Sequence, residues 1–346
     1  MQGASKTPDD SDYMGKVREI DDSAMVISRK KRGRGYSFYD ENGNLIRDSK
    51  ALKRLKSLVI PPMWKDVMVC RFDDGHIQAI GRDAKNRKQY IYHSEYEKQQ
   101  QEAKFRKMLD FSELLPGIRK TAHSKLSVKG WGKEKLVALI VLLLDEYGIR
   151  IGNKEYRKQN DSYGLTTLRR RHLDIEDDEL VLSFVGKSHK EQEVHIDDQE
   201  LIPFIKEAAS LPGYEIFRYR DAQKKYHDVD SEDVNDFIHK HIGDNYSSKD
   251  FRTWSANRLA MECYPLALEE LKNGSRKKFS NIVIKMVAAE LGNTPSVCRN
   301  YYVHPALFNR IDEKSVPNPN PFKEPKNDHE LSASEKLARK IIAESY

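Results

Sequence analysis

Near residue 100 the hydrophobic period of this chain changes from two to about 3.6, so one repeating layer cannot hold the whole of it. Before that point, short strand-like runs alternate with turn signals. Tyr36–Ile46 folds back at Asn42-Gly43, Val67–Phe72 meets His76–Ile80 across Asp73-Asp74-Gly75, and Gln89–Tyr92 follows. Asn-Gly supplies the positive φ of a tight hairpin turn, so these segments read as antiparallel strands. Ser49–Leu58 is a short helix ended by Pro61-Pro62. After the change, helical spacing prevails in Ser94–Phe111, Lys133–Tyr147, Gln199–Ser210, Ser231–His241, Lys249–Asn273 and Ser280–Leu291. One β interruption pairs Val181–Val185 with Glu191–Ile196 across Gly186–Lys190. The chain is therefore expected to be α+β: a disordered tail over 1–12, a small, mainly antiparallel β domain over 13–100, a larger mainly helical domain over 101–316, and a carboxy-terminal tail over 317–346 with a short helix at Ser334–Glu344.

The 346 residues leave room for two domains and at least one real core. A third of them are charged, and the formal net charge is +6, with runs such as Arg29–Arg32 and Arg169–Arg171. A polyanion suits that excess, and nucleic acid is the commonest one; a merely soluble, mildly basic surface would give the same totals. Cys70, Cys263 and Cys298 are far apart and odd in number, which fits a reducing compartment and neither a disulfide framework nor a zinc set. The first residues lack an apolar signal core. Leu136–Leu144 is about half of a membrane span and is bracketed by charge, so it reads as a buried core helix.

Several motifs point elsewhere and fail on context. Gly186-Lys187-Ser188 resembles the end of a P-loop, but the first glycine would fall at Val181, and strands flank it. Asp40–Asn44 lacks the twelve-residue calcium pattern. His239 and His241 have no companion carboxylate. No serine- or zinc-hydrolase motif occurs.

The chemistry is read at Leu291–Pro305. Gly292 ends one helix, Thr294 caps the next with Pro295 at its first position, and that short helix carries Arg299, Tyr301 and Tyr302. Core packing is the ordinary fate of such tyrosines. Three separated basic motifs upstream, however, each hold a cation able to meet a phosphate: Arg150, Lys187 and Arg252. Around Gln89–Tyr92, cations alternate with amides and aromatics, which suits either an ordinary basic edge strand or a ribbon in a DNA groove.

These segments resemble the type IB DNA topoisomerases, in the compact form found in bacteria and poxviruses. The likeness runs from about Gly15 to Leu307. Ile60–Val67 and Gly75–His93 match the DNA-clamping β domain. Arg150–Tyr156 with Gly164–Leu168, Phe184–Lys187, Lys249–Trp254 and Gly292–Tyr302 match the catalytic segments in order. The resemblance implies Tyr302 as nucleophile, Arg150 and Arg252 on the nonbridging phosphate oxygens, and Lys187 as general acid. Poxvirus members carry histidine at Asn293. An amide cannot shuttle protons near neutral pH, so Asn293 is expected to stabilise a phosphate oxygen. Transfer by family likeness also places Arg87 on a phosphate, Gln89, Tyr90 and Tyr92 in the major groove, and Tyr156 near the scissile strand.

The implied reaction relaxes supercoiled duplex DNA. A 3′-phosphotyrosine forms, a 5′-hydroxyl leaves, the duplex swivels, and the hydroxyl reseals the nick. The covalent bond conserves the phosphodiester energy, so no cofactor, ATP or metal is expected. The partner is double-stranded DNA, with no membrane, for a monomer in the cytoplasm, at the nucleoid if the source is bacterial; a viral origin fits as well. Two rivals stand beside this reading. A tyrosine recombinase uses a similar residue set, but it usually carries His-x-x-Arg where this chain has Lys249 three residues before Arg252, and its amino-terminal domain is helical. A noncatalytic DNA-binding protein on the same fold has no need of the complete set.

Overall fold

The computed structural model describes residues 17–176, 178–274, 276–317, 325, 327 and 329–346. The expected tail over 1–12, and most of the stretch from 318 to 328, lie outside the described residues. The chain divides into two compact units after Lys104.

In the first unit, strands β1 (Met25–Arg32), β2 (Gly35–Tyr39), β3 (Lys65–Cys70), β4 (Ile77–Arg82) and β5 (Lys88–Tyr92) form one antiparallel sheet in the order β2-β1-β3-β4-β5. Helix α1 (Ser49–Ser57) follows β2 and starts at Asp48, whose carboxylate accepts from Ala51 N. Phe38, Leu55, Val67, Val69 and Ala79 bury one core of this unit. The expected hairpin at Asn42-Gly43 is smaller than its sequence suggests. The turn is present, but beyond it only a single bridge joins Tyr39 to Leu45, and β2 pairs with β1 instead. Arg29 explains part of the basic run that precedes this turn. Its guanidinium donates to the carbonyls of Ile60, Pro61 and Trp64, so this cation is spent on holding a loop.

Helix α2 (Ser94–Leu126) crosses the division between the units and runs further than its apolar spacing suggests. In the second unit, α3 (Lys133–Tyr147) matches its predicted bounds, and every residue from Leu136 to Asp145 is buried. A helix apolar on all sides must be surrounded by others, and this one forms the middle of the larger core. Next come α4 (Lys154–Asn160), β6 (Leu173–Ile175), β7 (Leu180–Val185) and β8 (Glu191–Ile196), with the strands ordered β6-β7-β8. Then follow α5 (Ile202–Ser210), β9 (Arg218–Arg220), β10 (Tyr226–Asp228), α6 (Ser231–Ile242), α7 (Ser248–Lys272), α8 (Phe279–Glu290), α9 (Pro295–Tyr301), α10 (Pro305–Asp312) and α11 (Ala333–Ala343). The β9–β10 ribbon is a second β interruption that the sequence pattern does not announce; each strand has three residues, too few for a period of two to register.

The carboxy-terminal stretch is not a loose tail. Leu337, Ala338, Ile341 and Ile342 of α11 are buried among residues of α7, α8 and α10. Glu335, also buried, accepts from Arg119 Nη2 at 2.7 Å and Nη1 at 3.0 Å, and from Trp254 Nε1 at 2.7 Å. Asp145 takes the other side of the same guanidinium at 2.5 and 3.2 Å. Burial alone would push the Glu335 carboxyl up; the bonds from Arg119, Ser332 N and Trp254 hold it below the usual carboxylate range. No helix among the described residues is long and apolar enough to cross a membrane.

Candidate active site

Arg252 is placed by the first turns of α7. Ser247 and Asp250 form a capping box, and Phe251 and Trp254 on either side of Arg252 are buried in the larger core. The buried guanidinium donates to two carbonyls, those of Gly148 at the end of α3 and Leu291 at the end of α8. Arg150 lies on the segment after Gly148, and that segment is fixed by close backbone contact. Leu165 N donates to the Arg150 carbonyl and Thr166 N to the Ile151 carbonyl, at 2.9 and 2.8 Å. Only glycine fits at 164, because a Cβ there would lie 2.5 Å from the Arg150 oxygen. The Arg150 guanidinium donates to the side-chain oxygen of Asn293.

The Leu291–Pro305 stretch folds as its caps predict. Gly292 takes φ 56°, and the Thr294 hydroxyl accepts from Val297 N to open α9. Tyr302 is the residue that closes α9 rather than one inside it. Its half-buried ring packs on the smaller core of this unit, and Arg252 Cζ lies 5.8 Å from the ring centroid. Tyr301, its neighbour, is 57% exposed. Asn257 of α7 ties the segment down, donating to the Tyr302 carbonyl at 3.1 Å and accepting from His304 N at 2.8 Å.

Two cations therefore share a largely buried site. Burial, and then the charge of Arg150, push Arg252 down to about 10, with Tyr302 offsetting part of the shift. Burial lowers Arg150 as well, against an opposing pull from Tyr302. Both remain cationic at neutral pH. Arg252 Nε and Asn293 Nδ2 are buried donors with no hydrogen-bond partner among the described residues, although Nδ2 faces the Cys298 thiol. Two cations and two buried donors thus converge on one site, a setting that suits an anion.

Lys187 differs from the rest. It sits at the β7–β8 turn, exposed, and its side chain makes no hydrogen bond or ion pair among the described residues. The hairpin cation that reaches the group is Lys190, which the sequence reading passed over; its Nζ donates to the Asn293 carbonyl at 2.6 Å. Tyr156 is 60% exposed on α4.

In the first unit, strand alternation separates the four candidate DNA contacts. Tyr90 and Tyr92 are exposed on one face of β5, their rings stacked at 5.8 Å, and Lys88 lies over Tyr90. Gln89 lies on the other face and donates to Asp83 at 3.1 Å. Arg87 pairs with the same carboxylate at 2.6 Å, which holds Asp83 below the usual carboxylate range.

The fold is that of a DNA topoisomerase I core. A family model described as eukaryotic DNA topoisomerase I, catalytic core, matches residues 93–324, and one described as bacterial DNA topoisomerase IB, N-terminal domain, matches residues 35–83. The DNA topoisomerase 1B of Acanthamoeba polyphaga mimivirus is 30% identical over 309 residues, covering 87% of this chain and 91% of that one. The DNA topoisomerase 1B of Vaccinia virus (strain Copenhagen) and the DNA topoisomerase I of Monkeypox virus are each 25% identical over 276 residues, covering 78% of this chain and 84% of theirs. The chain belongs to the type IB DNA topoisomerases. These isomerases relax supercoiled duplex DNA through a transient 3′-phosphotyrosyl nick, strand rotation and religation.

Proposed function

We propose that Tyr302 is the nucleophile, that Arg150, Arg252 and Asn293 hold the nonbridging oxygens of the scissile phosphate, and that Lys187 protonates the leaving 5′ oxygen. The observation that carries this reading is the Tyr302 ring beside the buried Arg252 guanidinium, 5.8 Å from ring centroid to Cζ, with Arg150 bonded to Asn293 in the same site. Arginine suits the task because its planar fork meets two oxygens at once, and in a dry site its charge is little screened. Of the two neighbouring tyrosines, Tyr302 has its ring beside Arg252, while Tyr301 is 57% exposed. The phosphotyrosyl bond conserves the energy of the phosphodiester, and the cycle needs no ATP.

In the first unit, Tyr90 and Tyr92 reach into the major groove, Gln89 touches a base edge, and Arg87 exchanges Asp83 for a phosphate. Tyr156 approaches the scissile strand. The enzyme acts as a monomer that takes hold of the duplex with both units, wherever its DNA lies: in the cytoplasm, at the nucleoid of a bacterium. The deciding experiment is relaxation of supercoiled plasmid in EDTA, followed by mapping of the DNA-linked peptide. An unchanged linking number, or an adduct on another residue, would sink the assignment.

Two further outcomes are expected. Arg252→Lys retains a charge but loses the fork that spans the Gly148 and Leu291 carbonyls. Its single-turnover cleavage rate should fall about 10²-fold, the usual scale for one lost oxyanion donor. A loss below about threefold would show that no such donor was removed. Gln89→Ala should alter the distribution of cleavage sites on a long duplex more than it alters overall affinity. An unaltered cleavage pattern would remove Gln89 from base readout.

A further inference from the structure

We infer that Lys190 and Gln192 are positioning residues: they dock the β7–β8 hairpin, and Lys187 with it, onto the Gly292–Asn293 turn that leads to Tyr302. This inference rests on the reading of Lys187 as proton donor.

The hairpin tip has little to hold it. Ser188 and His189 are both left-handed, at φ 66° and 56°, a conformation that is strained for a non-glycine residue. Lys187, next to them, is exposed. What fixes the tip must therefore act at its base. Gly186 N donates to the Lys190 carbonyl at 2.7 Å and closes the turn. From there, two side chains reach across to the other motif.

The first is Lys190, on the Asn293 carbonyl at 2.6 Å. The second is Gln192 of β8, which fills a slot with a glycine on each side. A Cβ at Gly186 would come within 2.9 Å of Gln192 Cγ, and a Cβ at Gly292 would run into the Gln192 amide. The Gln192 side chain thus lies between the hairpin base and the turn, with its amide donating back to the Glu191 carbonyl at 2.9 Å. Asn293 is the shared anchor: its carbonyl takes Lys190, its side-chain oxygen takes Arg150, and its own N–H donates to the Ala288 carbonyl at 2.8 Å. The lysine hairpin and the phosphate-holding arginine are thereby tied to one residue.

In the cleavage step, the bond from Tyr302 Oη to phosphorus forms as the bond from phosphorus to O5′ breaks. The phenolic proton passes to water, and a proton passes from Lys187 Nζ to O5′. A bridging 5′ sulfur leaves as a thiolate and needs no proton, so it bypasses Lys187 and anything that acts through Lys187 alone. Arginine at 190 can still donate to a carbonyl, but it does not give up a proton near neutral pH.

The test is single-turnover cleavage by the whole protein of two duplexes, with 5′ oxygen or bridging 5′ sulfur at the scissile phosphate. It is paired with hydrogen exchange across residues 186–192 and 292–294. Lys190→Ala should lose between about tenfold and 10²-fold on oxygen, the scale of a catalytic group displaced by an ångström or so. It should recover most of that loss on sulfur, and its exchange should rise in both segments together. Lys190→Arg should stay near the parent rate. Equal slowing of Lys190→Ala on both substrates, or unchanged exchange, would overturn the docking role, and so would failure of Lys190→Arg to rescue. Lys187→Ala is the separate control: if sulfur does not rescue it, the proton-donor reading falls, while the exchange result still decides whether Lys190 docks the hairpin.

Discussion

Tyr302→Phe is expected to leave an enzyme that binds DNA and never becomes attached to it. The substitution removes one oxygen and keeps the ring, which packs on the core shared by α7, α8 and α11. The fold should therefore be retained, and the phosphate contacts that dominate affinity should remain. Without a covalent nucleophile, turnover should drop on the order of 10⁶-fold, as it does when such a group is deleted elsewhere. Denaturing gels of labelled duplex report the adduct, and plasmid linking number reports relaxation. Tyr301→Phe, at an exposed ring, should behave like the parent. Adduct that persists in Tyr302→Phe and vanishes in Tyr301→Phe would reverse the assignment.

Glu335→Ala should produce the largest loss of stability. The carboxylate is 1% exposed and accepts from Arg119, Trp254 and Ser332 N. Truncation leaves the Trp254 N–H without its acceptor and takes one of two carboxylates from a buried guanidinium. Breaking a buried charge pair from one side costs about 3–5 kcal/mol. With an unfolding entropy of about 2.1 cal/mol/K per residue, that lowers Tm by roughly 1–2 °C per kcal/mol. Because Trp254 sits two residues past Arg252 on α7, cleavage should also weaken as the midpoint is approached. Calorimetry of the whole chain decides the matter: a Tm within about a degree of the parent would mean that Glu335 contributes little to the folded state.

Where a residue's role is local, the amino-acid pattern was enough to read it. Thr294 and Pro295 announce the start of α9, and both serve as read, because a cap depends on its neighbours two or three places along. The apolar run from Leu136 announces a helix buried on every side, and α3 is that helix. The Val181–Ile196 hairpin pairs as its alternation requires. Three-residue strands, and α4 with no buried residue, leave no periodic trace, and so they went unseen. Charge was the least legible quantity. Arg29 belongs to a basic run, yet it is spent on three loop carbonyls, and Arg87 is paired with Asp83.

Order and spacing alone gave the two-part α+β plan, and the family resemblance added the four candidate catalytic segments and the choice of Tyr302. Hydrophobic period and capping chemistry report how each element meets its own surroundings, one at a time. Packing alone decided that Asn293 meets Arg150 from 143 positions away, that Lys190 and not Lys187 touches that turn, and that α11 is core. Which distant group satisfies a buried donor depends on every helix between them, and no local window of residues carries that information.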